Sequence, residues 1–223
     1  MRGRGGRTRA AKLAKCFVRL PVGVTTTMPQ STRSHAAELL LFASNFLRHP
    51  YMLGSVIPSS RFLVDQVLAP IDWQRAAVIV EYGPGVGTIT SEILRRMRSD
   101  AHLVAIETNR DFVRYLSTSL PDPRLHVAHG SAADVPEVLQ RLGFSKASYV
   151  VSGIPLGSMP ERVRADIAAK TLAALEPGGA FHVYQFTSRV LPVLRRTFRY
   201  VRRSFEGRNL PPAQVFVCAS ELA

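Results

Sequence analysis

The order of apolar runs and helical patterns predicts an α/β fold: a doubly wound, seven-stranded sheet preceded by an N-terminal helical extension. Three observations predict it. Val78-Ile79-Val80-Glu81-Tyr82 is a short apolar run that breaks into the alternate glycines Gly83, Gly85 and Gly87, which reads as a buried parallel strand turning into a helix. Buried strand patterns and helical patterns then alternate as far as residue 197. The last two strand patterns have no helix between them, which suggests an antiparallel hairpin at the sheet's edge.

The elements follow in chain order. Residues 2–9, rich in Gly and Arg, read as disordered. Residues 10–20 read as a short helix with Lys12, Lys15 and Arg19 on one face and Leu13, Cys16, Phe17 and Leu20 on the other, the pattern of an interfacial amphipathic helix. The alternatives are an organelle-targeting presequence, an upstream extension with Met28 as the start, or a nucleic-acid-binding tail. From Ser34, a possible N-cap, Leu39, Leu40, Phe42, Ala43, Phe46 and Leu47 recur at helical spacing until Pro50. A loop of small residues around Pro58 leads into a helix over 61–68. After the first strand a helix begins at Ser91, and the second strand is Leu103-Val104-Ala105-Ile106, ending in Glu107. Helix 111–118, strand 125–128, helix 135–142, strand 147–151 and helix 161–175 come next, the last ending at Pro177-Gly178-Gly179. Strand 180–186, helix 189–197 and strands 200–205 and 214–219 complete the sheet. The chain thus divides into a basic tail (1–33), a helical cap (34–70) and a sheet domain (71–223).

Composition bounds the class. At 223 residues and 46% apolar, the chain can bury one substantial core and a small accessory element. Cys16 and Cys218 form no repeated pair and no metal-ligand spacing, so neither a disulfide framework nor a metal site is expected. No apolar run is long enough to span a bilayer, and no secretory signal is evident, so a soluble or peripheral protein is expected. The net charge of +13 is uneven, with eight Lys or Arg and no acid between Met1 and Ala37.

The glycine-rich turn implies a ligand site, since side chains at Gly83, Gly85 and Gly87 would fill the space a ligand needs. The spacing is not that of a dinucleotide fingerprint: the third glycine comes one residue early, and Glu81 sits just before the turn, where a carboxylate suits an ammonium. Glu107, at the tip of the second strand, is placed to accept both hydroxyls of a ribose. At this point the chain resembles the class I S-adenosylmethionine-dependent methyltransferases, whose fold is Rossmann-like and whose first motif is (D/E)-x-G-x-G-x-G. The resemblance implies S-adenosylmethionine as cofactor, with Glu81 near the methionine ammonium, Gly83, Gly85 and Gly87 around the methionine, and Glu107 on the ribose. The loop of residues 51–61 is then placed either to close over the cofactor or to serve as a plain connector.

The acceptor turns on Ser152-Gly153-Ile154-Pro155-Leu156, at the end of strand four. Enzymes that methylate the exocyclic amine of adenine resemble this chain up to here but carry Asn-x-Pro-aromatic, in which the aromatic stacks on the base. Gly153 and Leu156 replace the Asn and the aromatic, so stacking worth about 1–3 kcal/mol is missing. The chain further resembles the bacterial phospholipid N-methyltransferases, over residues 40–219. The similar segments are Gly54-Ser55-Val56-Ile57-Pro58-Ser59-Ser60, Ser152-Gly153-Ile154-Pro155, Gln185-Phe186-Thr187 and Arg208-Asn209-Leu210-Pro211-Pro212-Ala213. Two departures stand: Gly130-Ser131-Ala132 replaces the family's Gly-Asp-Ala, leaving Ser131 or Asp134 to serve the adenine amine beside Ala132, and Ser188 replaces a Tyr.

The resemblance implies transfer of a methyl group to the amine of a membrane phospholipid such as phosphatidylethanolamine. The step is an in-line displacement driven by positioning, and the amine must be neutral to attack. Ser152, Gly153, Pro155 and Tyr184 are the expected reacting-site residues, with Ser152 also touching the cofactor. Tyr51, His182 and Tyr184 are candidate bases, packing being the alternative role for each. Arg189, Arg208 and Arg61 are candidates to hold a lipid phosphate, as Tyr51 is to line the substrate site. The expected partners are an anionic membrane surface and an amine-bearing phospholipid, with no DNA, RNA or metal. The expected location is cytoplasmic, peripheral to a membrane. The rival readings are an rRNA adenine dimethyltransferase and a non-catalytic binding protein on the same scaffold.

Overall fold

The computed structural model describes residues 60–221. The expected helices over 10–20 and 34–47, the loop before Ser60, and with it Tyr51, lie outside the described residues.

The chain enters through helix α1 (Arg61–Leu68), capped by Ser60, whose Oγ accepts the Leu63 N–H. Strand β1 (Val78–Tyr82) leads into α2 (Thr88–Arg96), β2 (His102–Glu107) into α3 (Arg110–Ser119), and β3 (Leu125–His129) through a 3-10 turn into α4 (Val135–Arg141). Strand β4 (Ala147–Ser152) is followed by α5 (Glu161–Ala174), β5 (Leu175–Gln185) by α6 (Leu191–Thr197), and β6 (Tyr200–Glu206) and β7 (Ala213–Ala219) close the chain. The sheet order is β3-β2-β1-β4-β5-β7-β6. β1 to β5 are parallel, and β7 runs antiparallel between β5 and β6. This is the predicted doubly wound sheet with its edge hairpin.

Its two faces bury separate apolar clusters. Val80, Tyr82, Val150, Phe181 and Val183 pack beneath α4, α5 and α6, whereas Ile79, Leu103, Val151 and Val215 pack against Leu63, Val67 and Leu68 of α1 and Ile89 and Ile93 of α2. Successive residues of a strand alternate faces, so each central strand feeds both clusters. Helix α1 therefore shares the sheet's core.

Three elements start more than one residue from where they are expected. Helix α2 begins at Thr88 rather than Ser91, because Gly87 has φ +82° and its carbonyl already accepts the Ser91 N–H at 2.9 Å. Helix α5 ends at Ala174, and β5 starts at once. Pro177-Gly178-Gly179 forms an irregularity inside β5, between the pairs Ala147/Leu175 and Tyr149/Ala180, where Gly178 takes φ +77°. Helix α6 starts at Leu191, with Pro192 fixing the backbone of its first turn.

Candidate active site

The C-terminal ends of β1, β2, β4 and β5 meet at one edge of the sheet, where open α/β folds bind ligands. There a cleft of about 210 Å³ is lined by Gly83, Ile106, Glu107, Thr108, Gly130, Ser131, Ala132, Ile154 and Pro155, and by Met159, Val163 and Ile167 of the segment through α5.

Glu107 lines it and is buried. Its Oε2 accepts the Gly85 N–H at 3.2 Å, and its Oε1 accepts the Asn109 N–H at 2.8 Å. Burial raises its pKa, against which the backbone donors of Asn109, Gly85 and Thr108 and the Thr108 hydroxyl work. The carboxylate thus ties the glycine turn to the end of β2 while facing the cavity.

Gly83 and Gly87 also make room for the protein's own side chains. A Cβ on Gly83 would lie 2.6 Å from Ile154 Cγ2, and one on Gly87 would lie 2.7 and 2.9 Å from methyls of Leu116 and Leu120. Both residues also have φ near +70 to +80°. The space saved is filled by the protein's own side chains, which lets β4 and α3 approach the turn.

Glu81 is on the other face of β1, toward α2, and is not among the residues lining this cleft. It is almost wholly buried, and the Thr90 hydroxyl donates to its Oε2 at 2.7 Å. Burial pushes its pKa up to about 8; the Thr90 bond opposes this and the nearby Glu107 charge adds to it. On that same side, a Cβ on Gly153 would meet the Tyr184 hydroxyl at 2.8 Å. The tyrosine oxygen therefore lies against the bare backbone of Gly153.

Ser152 Oγ is buried with no hydrogen-bond partner among the described residues, an orphaned polar atom at the strand end. Leu156 is turned into the core. Ser131 accepts the Ala133 N–H, and Asp134 accepts the Ser131 N–H, so this acid caps a 3-10 turn and is not among the cavity-lining residues. His182 is sealed against α1: its Nδ1 meets the Val67 carbonyl at 2.8 Å, its Nε2 has no partner among the described residues, and burial drives its pKa down to about 4. It does not line the cavity.

The expected cations separate. Arg208 pairs with Glu206 at 2.9 Å and stacks 4.1 Å over Phe62, whose ring also carries Arg61 at 4.8 Å. Arg189 is exposed on the β5–α6 loop, its Cβ 3.6 Å from where a Gly157 Cβ would stand.

Four supporting residues escaped the sequence reading. Gln185 Nε2 donates to the Ile154 carbonyl at 2.8 Å, and its Oε1 accepts the Gly157 N–H at 2.9 Å, which clamps the loop after β4. Asn209 accepts the Ser60 N–H at 2.9 Å and donates to the Pro211 carbonyl, which joins the β6–β7 loop to α1. Thr90 holds Glu81, and Phe62 seats two arginines. Gln185 and Asn209 stand in segments that carry the family resemblance; no sequence signal singled out Thr90 or Phe62.

The donor set fits an adenosine-bearing ligand with an ammonium at its far end: a buried carboxylate lining the cleft, a second behind the glycine turn, and a buried hydroxyl with no partner among the described residues. When bound, S-adenosylmethionine supplies an electrophilic methyl on a sulfonium.

A family model described as ribosomal RNA adenine dimethylase matches residues 49–173. An ornithine lipid N-methyltransferase of Singulisphaera acidiphila is 33% identical over 189 residues, covering 81% of this chain and 95% of that protein. A ribosomal RNA small subunit methyltransferase A of Laribacter hongkongensis is 32% identical over 91 residues, covering 41% of this chain but only 29% of that protein. Among solved structures, an O-methyltransferase family protein from Burkholderia thailandensis superposes with a TM-score of 0.55 at 15% identity, over 85% of this chain and 61% of that one, a likeness of fold. The family match and the lipid-methylating relative agree with the cofactor chemistry of the turn, and the chain belongs to the ribosomal RNA adenine dimethylase family as an S-adenosylmethionine-dependent N-methyltransferase.

Proposed function

We propose that the methyl acceptor is the primary amine of a membrane aminolipid, an ornithine lipid or an ethanolamine phospholipid. The observation that carries this reading is the Gly153–Tyr184 contact. Where adenine-methylating enzymes present an Asn side chain, this chain has bare backbone with a tyrosine oxygen against it, and Leu156, at the position of the stacking aromatic, is buried in the core. A flat base would find neither its amide partner nor its stacking platform, whereas a compact amine needs only carbonyl and hydroxyl oxygens to orient its lone pair. The likeness to the ornithine lipid enzyme across nearly its whole length supports the same reading.

In this scheme Glu107 holds the ribose, Glu81 the methionine ammonium, and Ser131, Ala132 and Ser152 complete the cofactor contacts. Gly153, Pro155 and Tyr184 shape the acceptor site, and Arg61, Arg189 or Arg208 meets the anionic part of the lipid.

The test is methyl transfer from labelled S-adenosylmethionine by the purified protein to micellar ornithine lipid, to micellar phosphatidylethanolamine and to undermethylated ribosomal RNA. Label in one or both lipids is expected. Label confined to RNA overturns the assignment and supports the dimethylase alternative that the family match favours.

A further inference from the structure

The β6–β7 hairpin presents an unusual combination. Among the described residues the exposed large apolar side chains are Val163, Phe205 and Leu210; Phe205 is 65% exposed, Leu210 is 84% exposed, and both belong to the hairpin. Leu210 is not on a slack loop. Its neighbour Asn209 is buried and hydrogen-bonded at both ends of its amide, to Ser60 and Pro211, so the leucine is held outward by a braced turn.

Cations belong to the same hairpin and to the start of α1. Arg202 and Arg203 are exposed on β6, and Arg208 and Arg61 flank Phe62 beside the turn, against the single acid Glu206 of the hairpin. The register places this surface next to the active site: Glu206 pairs with Ala213, and Gln214 pairs with Gln185, whose amide clamps the loop after β4. No helix among the described residues is long and apolar enough to cross a membrane.

We infer that the tip of the β6–β7 hairpin, with Phe205 and Leu210 as its apolar side chains, Arg203 on Phe205's side of β6 and Arg208 and Arg61 stacked on Phe62 at the turn, is the edge by which this protein docks on an anionic lipid bilayer. Apolar side chains that enter the headgroup boundary, beside guanidiniums that meet lipid phosphates, make up the balance of forces that holds peripheral proteins at an interface. Arginine stems can lie along apolar surface while their heads stay at the phosphates. An RNA surface would use the arginines, and Phe205 in a stack, but would leave the aliphatic Leu210 in water, so the membrane accounts for more of what is seen. The inference rests on the aminolipid reading and deepens it, since the hairpin would bring the cleft to its acceptor.

Co-sedimentation of the full chain with phosphatidylcholine vesicles, with and without phosphatidylglycerol, tests it, and calorimetric cofactor binding serves as the check of folding. The double variant Phe205→Ser, Leu210→Ser should partition on the order of tenfold less onto anionic vesicles. Arg203→Glu should also weaken binding and flatten its dependence on salt. The N-terminal tail is present in every protein compared, so the difference reads the hairpin. A folded double variant that partitions like the wild type overturns the inference, as does one that loses affinity for a structured RNA and keeps it for vesicles.

Methylation of micellar aminolipid separates the two claims. If the wild type methylates no aminolipid in micelles while vesicle binding still depends on Phe205 and Leu210, docking stands and the acceptor assignment falls. If wild type and double variant methylate vesicle-embedded aminolipid equally, docking falls and the acceptor assignment stands.

Discussion

Replacing Glu107 separates its binding role from its structural one. In the free protein its Oε2 accepts the Gly85 N–H at 3.2 Å and its Oε1 the Asn109 N–H at 2.8 Å, which leaves further lone pairs facing the cavity. Hydrogen bonds from a ribose diol to a charged acceptor are worth about 1.5–3 kcal/mol. Burial has already raised the pKa of this carboxyl and so weakens its preference for the ionised form, which argues for taking that range as the total for both hydroxyls. Loss of the group should therefore weaken S-adenosylhomocysteine binding roughly 10- to 150-fold. Glu107→Gln keeps the size and one carbonyl acceptor and should fall near the lower figure with little change in melting temperature. Glu107→Ala should fall near the upper figure and also melt earlier, because it strands the Gly85 and Asn109 amides, at about 1–3 kcal/mol for each buried donor left unpaired. Titration calorimetry and thermal denaturation of both variants read the two effects. A folded Glu107→Gln protein with cofactor affinity within twofold of the wild type, taking twofold as roughly 0.4 kcal/mol, would refute the ribose assignment.

Three further outcomes are expected. Gly153→Ala puts a methyl 2.8 Å from the Tyr184 hydroxyl, so it should leave cofactor binding intact and slow methyl transfer by about tenfold or more, with Tyr184→Phe in the same chain restoring part of the loss in single-turnover assays. Gly87→Ala combines φ +82° with overlap of Leu116 and Leu120, neither of which can retreat cheaply, and should lower stability by about 1–3 kcal/mol in urea unfolding, with cofactor affinity falling less than for Glu107→Ala. Glu81, with its pKa pushed up to about 8, keeps a proton in the folded protein that the unfolded chain has already lost, so its contribution to stability declines as pH rises from the ordinary carboxylate value to about 8 and levels off above that. An ammonium brought against Glu81 reverses its preference. Cofactor affinity should therefore rise with pH up to about 8, with proton release visible as a buffer-dependent binding enthalpy, and Glu81→Gln should abolish both.

The sequence alone determined what rests on local spacing. An apolar run ending in alternate glycines, an acid just before the turn and another at the tip of the next strand are fixed by the strand period and by the short reach of a strand–turn–helix unit, and the structure has them as read. The edge hairpin was legible for the same reason, as two strand patterns with no helical period between them. Tertiary structure decided everything that depends on which distant residue fills a gap. Gly83 and Gly87 announced a tight turn, but only the fold shows that Ile154, Leu116 and Leu120 occupy the space they leave. His182 and Tyr184 stand two residues apart on the same face of β5. The first is sealed under α1 by Val67 and the second lies on Gly153, a difference set by which helix covers that face. The clamp from Gln185 to Ile154 and Gly157, the brace from Asn209 to Ser60 and the stack of two arginines on Phe62 join residues from different elements, up to 149 positions apart in the chain. No period or turn signal encodes such contacts, because packing and hydrogen-bond satisfaction are settled only when strands and helices from the whole chain share one core.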